Sequence, residues 1–348
     1  MHPSSPDPGF ATREDHEACR EAIRQGSRSF HAASLVLPGH VRKPAYGLYA
    51  FCRLSDDAVD VEGGSFTALA RLRERLACAY DGQPHPVSAD RAMADLVRRY
   101  AIPRTVPEAL LEGLAWDAEG RRYDTIHALH DYAARVAGTV GVMMTLMMGV
   151  RDPHTLARAC DLGVAMQLTN IARDVGEDAR AGRIYLPLAW LREAGIEPDA
   201  FLANPVPTPA LRNVVARLLR DADALYRRAR QGVAHLPRSC RPAILAAGLL
   251  YAEIGRELER RHALDSVTHR ARVGGKRKLA LLTKAVALSP LLSSGAALPA
   301  LPATAFLIDA VTAHPLRAPA PEINGASAQF LRVLDIFERL ERAERYGD

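Results

Sequence analysis

Two groups of acidic residues in this chain have types and spacing suited to chemistry. In the run DDAVD, Asp56 and Asp60 lie four residues apart and share one face of a predicted helix, while Asp57 turns away by about 100°. Like charges at this spacing repel each other, so a buried pair needs a cation. A set of oxygen ligands alone suits a hard divalent ion, above all Mg²⁺. A lone DxxxD is more often a solvated helix end, so a metal site needs further support.

That support lies in the run QLTNIARDVGED at 167–178. Asn170, Asp174 and Asp178 follow each other at intervals of four along a predicted helix, with Gln167 close before them. The other positions of this helix are mostly apolar, which predicts a central element, and buried carboxylates need partners. Two helices that present oxygen ligands across one cavity could hold several Mg²⁺ ions. Because such ions complete their shell with substrate phosphates, a diphosphate is the expected guest.

Basic and hydroxyl side chains flank both acidic groups and are candidate diphosphate ligands: Ser27, Arg28, Ser29, Arg53, Arg173 and Arg183. Guanidinium groups match phosphate oxygens, and hydroxyls add donors. The sequence has no GxxxxGK[ST] loop, no GxGxxG after a strand and no HExxH motif. Metal-assisted departure of a diphosphate from carbon is therefore the simplest chemistry, and it implies an allylic diphosphate and a carbocation.

The composition predicts the elements that must position these residues. The chain has 348 residues, 48% apolar and only 6% aromatic, which provides a large core and favours an all-α protein over a β-sandwich or a disordered chain. Helical spacing of apolar residues predicts helices at about 13–36, 41–61, 65–81, 90–101, 105–121, 126–149, 153–178, 207–234, 239–264 and 274–289. We therefore expect a loose tail at 1–12, one helical catalytic domain at 13–289, a Pro/Ala-rich apolar segment at 290–325 and a C-terminal amphipathic helix at 326–348.

Charge and cysteine content limit the partners and the cellular compartment that we expect. The net charge of +5 is spread along the chain without a basic tail or a basic-aromatic motif, which disfavours a nucleic-acid partner. Five scattered cysteines, with no CxxC pair, indicate neither a disulfide framework nor a zinc site and fit a reducing cytoplasm. The first dozen residues do not form a secretory signal. The apolar stretch 279–311 is too interrupted to span a membrane; burial in the core and peripheral contact with the inner face of the membrane are the alternatives.

Four runs of sequence closely resemble one known family. They are SRSF at 27–30, YAFCRLSDDAVD at 49–60, YAARVAGTVGVMM at 132–144 and LGVAMQLTNIARDVGEDARAGRIYLP at 162–187. In order and spacing they are similar to the squalene and phytoene synthases, the head-to-head prenyltransferases, over about residues 20–280. The NxxxDxxxD motif resembles the phytoene type, and the bacterial phytoene synthases are most similar.

The resemblance implies a type I isoprenoid synthase fold, a single helical domain around a central cavity. It implies that two geranylgeranyl diphosphates condense through prephytoene diphosphate to phytoene, a step of carotenoid biosynthesis, with Mg²⁺ or Mn²⁺ and without a nicotinamide cofactor. The catalytic set would be Asp56, Asp60, Asp174 and Asp178, which with Asn170 would bind the metal. Contacts with the substrates would come from Ser27, Arg28, Ser29, Tyr49, Arg53, Gln167, Asn170, Arg173 and Tyr251.

Some positions leave alternatives open. Arg270 or Arg272 would match a further family arginine, and Tyr123 would lie at the cavity mouth or at the surface. Paired glycines in GTVG indicate close approach by another helix or by a substrate. Nearby methionines could shape a tunnel for a polyprenyl chain or pack in the core: Met143, Met144, Met147, Met148 and Met166.

Two other functions remain open at this stage. A squalene, dehydrosqualene or presqualene-diphosphate synthase would carry the same metal motifs and use farnesyl diphosphate. An inactive relative that acts as an assembly protein would be expected to lose carboxylates from one acidic group, whereas both groups are complete here.

Overall fold

The computed structural model describes residues 9–61, 66–295 and 297–314, and over these residues it contains helices and no strand. The helices are α1 (Arg13–Gly26), α2 (Arg28–Ser34), α3 (Gly39–Val61), α4 (Phe66–Tyr80), α5 (Ser88–Tyr100), α6 (Thr105–Ala118), α7 (Ile126–Ala133), α8 (Thr139–Met147), α9 (Pro153–Arg180), α10 (Leu188–Glu193), α11 (Pro198–Ala203), α12 (Pro209–Val233), α13 (Arg241–His262), α14 (Gly275–Leu288) and α15 (Ala305–Thr312). The helix predicted at 326–348 lies outside the described residues.

Helix α9 is the central element, as its apolar composition predicted. The Asp152 side chain caps it by accepting a hydrogen bond from the backbone N–H of Thr155 at 2.8 Å, and Pro153 occupies its first turn. Most of its length is buried, and it packs against α8, α12 and α13. Apolar packing around this helix therefore fixes the position of its acidic residues.

The helix predicted at 126–149 is interrupted by a π-helical turn at Ala134–Gly138 between α7 and α8. Beyond it, α8 approaches α9 closely enough that a Cβ at Gly141 would collide with the carbonyl oxygen of Ala159. A Cβ at Gly163 would likewise collide with the carbonyl oxygen of Ala137. The close helix approach predicted from the paired glycines is confirmed at Gly141, where only glycine permits this backbone separation, whereas a Cβ at Gly138 would meet ordinary contacts at 3.6 Å or more.

The predicted helix 13–36 is two helices that meet at Ser27. The Ser27 hydroxyl accepts a hydrogen bond from the backbone N–H of Phe30 at 3.3 Å and caps α2, because its own extended backbone ends α1. Sequence periodicity also missed α10, α11 and α15, which have only six to eight residues and so carry too few turns for a pattern to emerge.

The apolar stretch 279–311 contributes to the core. Leu282 and Leu307 are fully buried and Val311 nearly so. The carbonyl oxygen of Pro299 accepts hydrogen bonds from Arg158 and Arg228, which hold the loop before α15 against α9 and α12. Of the two alternatives for this stretch, burial in the core is thus correct for these side chains. Among the described residues, no helix is long and apolar enough to cross a membrane.

Candidate active site

The two acidic helices border one cavity of about 340 Å³. Tyr49 and Cys52 of α3 line it from one side, and Gln167 and Asn170 of α9 line it from another. The remaining lining is largely aliphatic, and its other polar members are Ser34, Thr145, Thr155 and Arg158. The cavity is therefore mostly apolar, with polar groups where these two helices meet it. This arrangement suits a molecule with a long hydrocarbon chain and a polar head.

The methionines divide between the two roles considered for them. Met144, Met148 and Met166 line the cavity, whereas Met143 and Met147 are buried in the core. On α8, helical periodicity explains the division, because Met144 and Met148 lie about 100° around the helix axis from Met143 and Met147.

On α3, Arg53 pairs with the acidic group. Its Nη2 lies 2.6 Å from Oδ1 of Asp57, and its Nη1 lies 3.8 Å from Oδ2 of Asp56, with all three side chains about half exposed. The α3 backbone continues through Asp60, but the side chain of Asp60 lies outside what the structure describes. The cation of Arg53 therefore already offsets part of the negative charge at the start of this group.

On α9, two arginines converge on Asp174. Arg173 donates through Nε to Oδ1 at 2.7 Å, and Arg270 donates through Nε to the same oxygen at 2.8 Å. Burial would raise the pKa of Asp174, but these hydrogen bonds outweigh it and lower the pKa, so the carboxylate stays ionised. Arg270 is thus the arginine that reaches the acidic group, while Arg272 is exposed.

Within the described part of the chain, two other polar groups of α9 receive no arginine hydrogen bonds of the kind that stabilise Asp174. Burial, together with the negative charge of Asp174, raises the pKa of Asp178 to about 7, although Arg183 opposes the rise. The Oδ1 atom of Asn170 is buried and has no hydrogen-bond partner among the described residues. An unsatisfied amide oxygen and a carboxyl that is costly to ionise are both features that a bound cation would correct.

Sequence reasoning missed a partly buried carboxylate on α6. Asp117 accepts hydrogen bonds from the hydroxyls of Tyr132 at 2.8 Å and Tyr185 at 2.7 Å. Burial raises its pKa to about 6; the two tyrosines and Arg183 oppose the rise, and the negative charge of Asp56 adds to it. Asp117 therefore lies within electrostatic reach of the α3 acidic group. The available signal was a single aspartate in the apolar run ALLEGLAWDA.

Tyr123 occupies neither place considered for it. Only 1% of its surface is exposed, and it is not among the residues that line the cavity. Its ring lies 5.1 Å from that of Tyr132 and 6.3 Å from that of Tyr185, centroid to centroid. Its buried hydroxyl has no hydrogen-bond partner among the described residues. Tyr123 thus belongs to the aromatic cluster around Asp117, and the surface interpretation was wrong.

Two of the remaining predicted substrate contacts, Ser27 and Tyr251, meet where α2 reaches α13. Tyr251 is hydrogen-bonded to Ser27, and its ring lies 4.9 Å from that of Phe30. Burial raises the pKa of Tyr251, and the cation of Arg173 opposes the rise, which places that cation near the phenol. The side chains of Arg28 and Ser29 are outside what the structure describes.

Comparison with known proteins identifies the family. A model of the squalene/phytoene synthases matches residues 23–277. A phytoene synthase from Rhodobacter capsulatus is 50% identical over 330 residues, covering 92% of this chain and 97% of that protein. One from Cereibacter sphaeroides is 52% identical over 345 residues, covering 94% of this chain and 95% of that protein. The chain belongs to the squalene/phytoene synthase family, and the resemblance seen in the sequence is confirmed.

Solved structures support the same assignment. A dehydrosqualene synthase in complex with a ligand superposes with a TM-score of 0.74 at 28% identity, covering 80% of this chain and 98% of that one. A squalene synthase from Alicyclobacillus acidocaldarius gives a TM-score of 0.65 at 27% identity, covering 72% and 95%. The protein has the all-helical isoprenoid synthase fold expected from the resemblance. Enzymes of this prenyl diphosphate synthase type generally depend on divalent metal ions.

Proposed function

We propose that this protein is a phytoene synthase. The proposal rests on sequence identities of 50% and 52% with two curated phytoene synthases, over 92% and 94% of this chain. In this reaction the C1–O bond of one geranylgeranyl diphosphate breaks, and the double bond of a second molecule attacks the resulting cation. Loss of a proton gives prephytoene diphosphate. A second loss of diphosphate, rearrangement and loss of a second proton give phytoene.

The proposed metal ligands are Asp56 and Asp60 on α3 and Asn170, Asp174 and Asp178 on α9. The donors fit Mg²⁺ because all are oxygens, because the buried amide oxygen of Asn170 has no partner among the described residues, and because Asp178 is costly to ionise. The described residues contain no group of three or more His, Cys, Asp or Glu side chains placed to hold a metal by themselves. This agrees with sites completed by substrate phosphate and water. Bound Mg²⁺ would neutralise charge on the departing diphosphate.

The proposed diphosphate ligands are arginines that now neutralise carboxylates. Arg53 pairs with Asp57, and Arg173 and Arg270 pair with Asp174. If Asp174 held a metal ion, Arg173 and Arg270 would be free to donate to phosphate oxygens, and Arg53 could donate to them from the α3 side. The hydroxyls and amides proposed to add donors or to position the chains are Ser27, Ser29, Tyr49, Gln167 and Tyr251, together with Arg28.

Asp117 is proposed as a positioning residue. Its two hydrogen bonds hold the hydroxyls of Tyr132 and Tyr185 in fixed positions within electrostatic reach of Asp56. Charge-assisted hydrogen bonds of this kind are roughly twice as strong as neutral ones. The tyrosines are therefore oriented before substrate binds, which reduces the reorganisation that the reaction requires.

The test is a product assay with purified protein, Mg²⁺ and either labelled geranylgeranyl diphosphate or labelled farnesyl diphosphate. The expected outcome is a C40 hydrocarbon from the first substrate, formed without a nicotinamide cofactor. Exclusive formation of C30 products from farnesyl diphosphate would instead identify a squalene or dehydrosqualene synthase. Loss of diphosphate release in Asp56→Asn and Asp174→Asn, with folding retained, would exclude an inactive assembly protein. Cytoplasmic location with peripheral membrane contact is part of the same proposal.

A further inference from the structure

A second cavity, of about 270 Å³, lies between α12 and α13. Four of its lining residues also line the main cavity, and they are Leu162, Ala229, Val233 and Ile244. The two cavities are therefore separated by a single layer of aliphatic side chains. We call this layer the partition and the second cavity the α12–α13 cleft.

The partition has space behind it on the side of the cleft. Gly248 of α13 faces Leu162 of α9, and a Cβ at Gly248 would lie 3.3 Å from Cδ1 of Leu162. Leu162 therefore already lies against the backbone of Gly248, and a change of its rotamer away from this contact would open the partition. Aliphatic rotamer changes of this kind require no hydrogen bond to break, and they are fast compared with catalytic turnover.

The outer end of the cleft is cationic. Arg227, Arg230 and Arg256 line it and are exposed. Arg256 lies 3.4 Å from the carboxylate of Glu253, whereas the side chains of Arg227 and Arg230 have no ion-pair or hydrogen-bond partner among the described residues. Within the part of the chain that the structure describes, Asp223 is the only acidic residue that lines the cleft. The outer end is thus an apolar opening with net positive charge, which suits the anionic surface of a lipid bilayer.

We propose that the α12–α13 cleft is the route by which the hydrocarbon product leaves the main cavity for a bilayer. This rests on the proposed phytoene synthase function. The product carries no charge, so it gains nothing from the end of the main cavity where Tyr49, Gln167 and Asn170 lie near the acidic groups, and that end suits diphosphates. When Leu162 of the partition turns aside, the cleft would offer an apolar path past Leu162 and Val233, and its cationic rim would face the anionic acceptor membrane.

The test separates chemistry from product release. Gly248→Leu fills the cleft next to Leu162, and Glu259→Leu adds the same side chain to an exposed position of α13 as a control. Single-turnover diphosphate release should stay within about twofold of the parent protein in both variants. Steady-state turnover with phospholipid vesicles should fall about fivefold or more only in Gly248→Leu, because release then limits the rate. Unchanged steady-state turnover, or an equal fall in both rates, would overturn the proposal.

A surface variant keeps the test valid if Gly248→Leu does not fold. Arg227→Glu combined with Arg230→Glu should slow transfer of C40 product to phosphatidylglycerol vesicles severalfold and leave transfer to phosphatidylcholine vesicles unchanged. Equal transfer rates to both kinds of vesicle, in parent and variant alike, would refute a route through this rim. If the parent protein makes no C40 product at all, the proposed function fails, and that outcome is distinct from failure of the exit route.

Discussion

Replacing Asp117 by Asn should make the free energy of unfolding less sensitive to pH. Burial raises the pKa of Asp117 from 3.8 to about 6 in the folded protein. The folded state then binds the proton of the Asp117 carboxyl more tightly than the unfolded state does. The stabilising contribution of Asp117 to the free energy of unfolding is therefore fully present below about pH 4 and is lost as pH rises through about 6. A rise of about two pKa units corresponds to about 3 kcal/mol, and roughly half of it is lost between pH 5 and pH 8.

The groups that face Asp117 decide the size of this effect. Tyr132 and Tyr185 donate hydrogen bonds, Arg183 contributes positive charge, and Asp56 contributes negative charge. Asn at position 117 keeps a hydrogen-bonding amide but cannot ionise. Between pH 5 and pH 8, the free energy of unfolding of the variant should therefore rise by about 1–2 kcal/mol relative to that of the parent protein. The same change should slow diphosphate release, because Tyr132 and Tyr185 lose their charged acceptor.

The assay is urea denaturation followed by circular dichroism at pH 5, 6, 7 and 8, in EDTA so that no metal contributes. The matched control is Asp124→Asn, since the side chain of Asp124 is 70% exposed and pairs with Arg192 at the surface. The control should follow the parent protein at every pH. Parallel stability profiles for the parent protein and the Asp117 variant would show that this carboxylate is not strained by burial, and the reasoning would fail.

Three further outcomes are expected. Asp161→Ala leaves the Arg158 guanidinium, 1% exposed, without its buried partner and should cost about 3–5 kcal/mol, measured as a lower urea midpoint; an unchanged midpoint would contradict this. Gly163→Ala should destabilise by several kcal/mol in the same assay, because the new Cβ meets the carbonyl oxygen of Ala137; tolerance of alanine would show that the π-helical turn before α8 can separate from α9. Asn170→Ala should raise the Mg²⁺ concentration for half-maximal diphosphate release about tenfold or more, whereas an unchanged Mg²⁺ dependence would remove Asn170 from the proposed metal ligands.

The sequence by itself determined the helical class, the central place of α9 and the family. These follow from local information, because helical periodicity records which side of a segment is apolar, and short runs of residues carry the resemblance. Asp174 and Asp178 could be assigned to one helix face for the same reason. The close packing at Gly141 was predictable too, since glycine in a helix interior costs stability unless a neighbour requires it.

Only the tertiary structure decided which groups meet across the chain. Arg270 reaches Asp174 from 96 residues away, and Tyr185 reaches Asp117 from 68 residues away. No local pattern encodes such pairs, because they depend on how whole helices pack. The proximity of the α12–α13 cleft to the main cavity is of the same kind. It arises because Leu162 of α9 contributes to both cavities, and a helix buried nearly all round can serve two cavities at once.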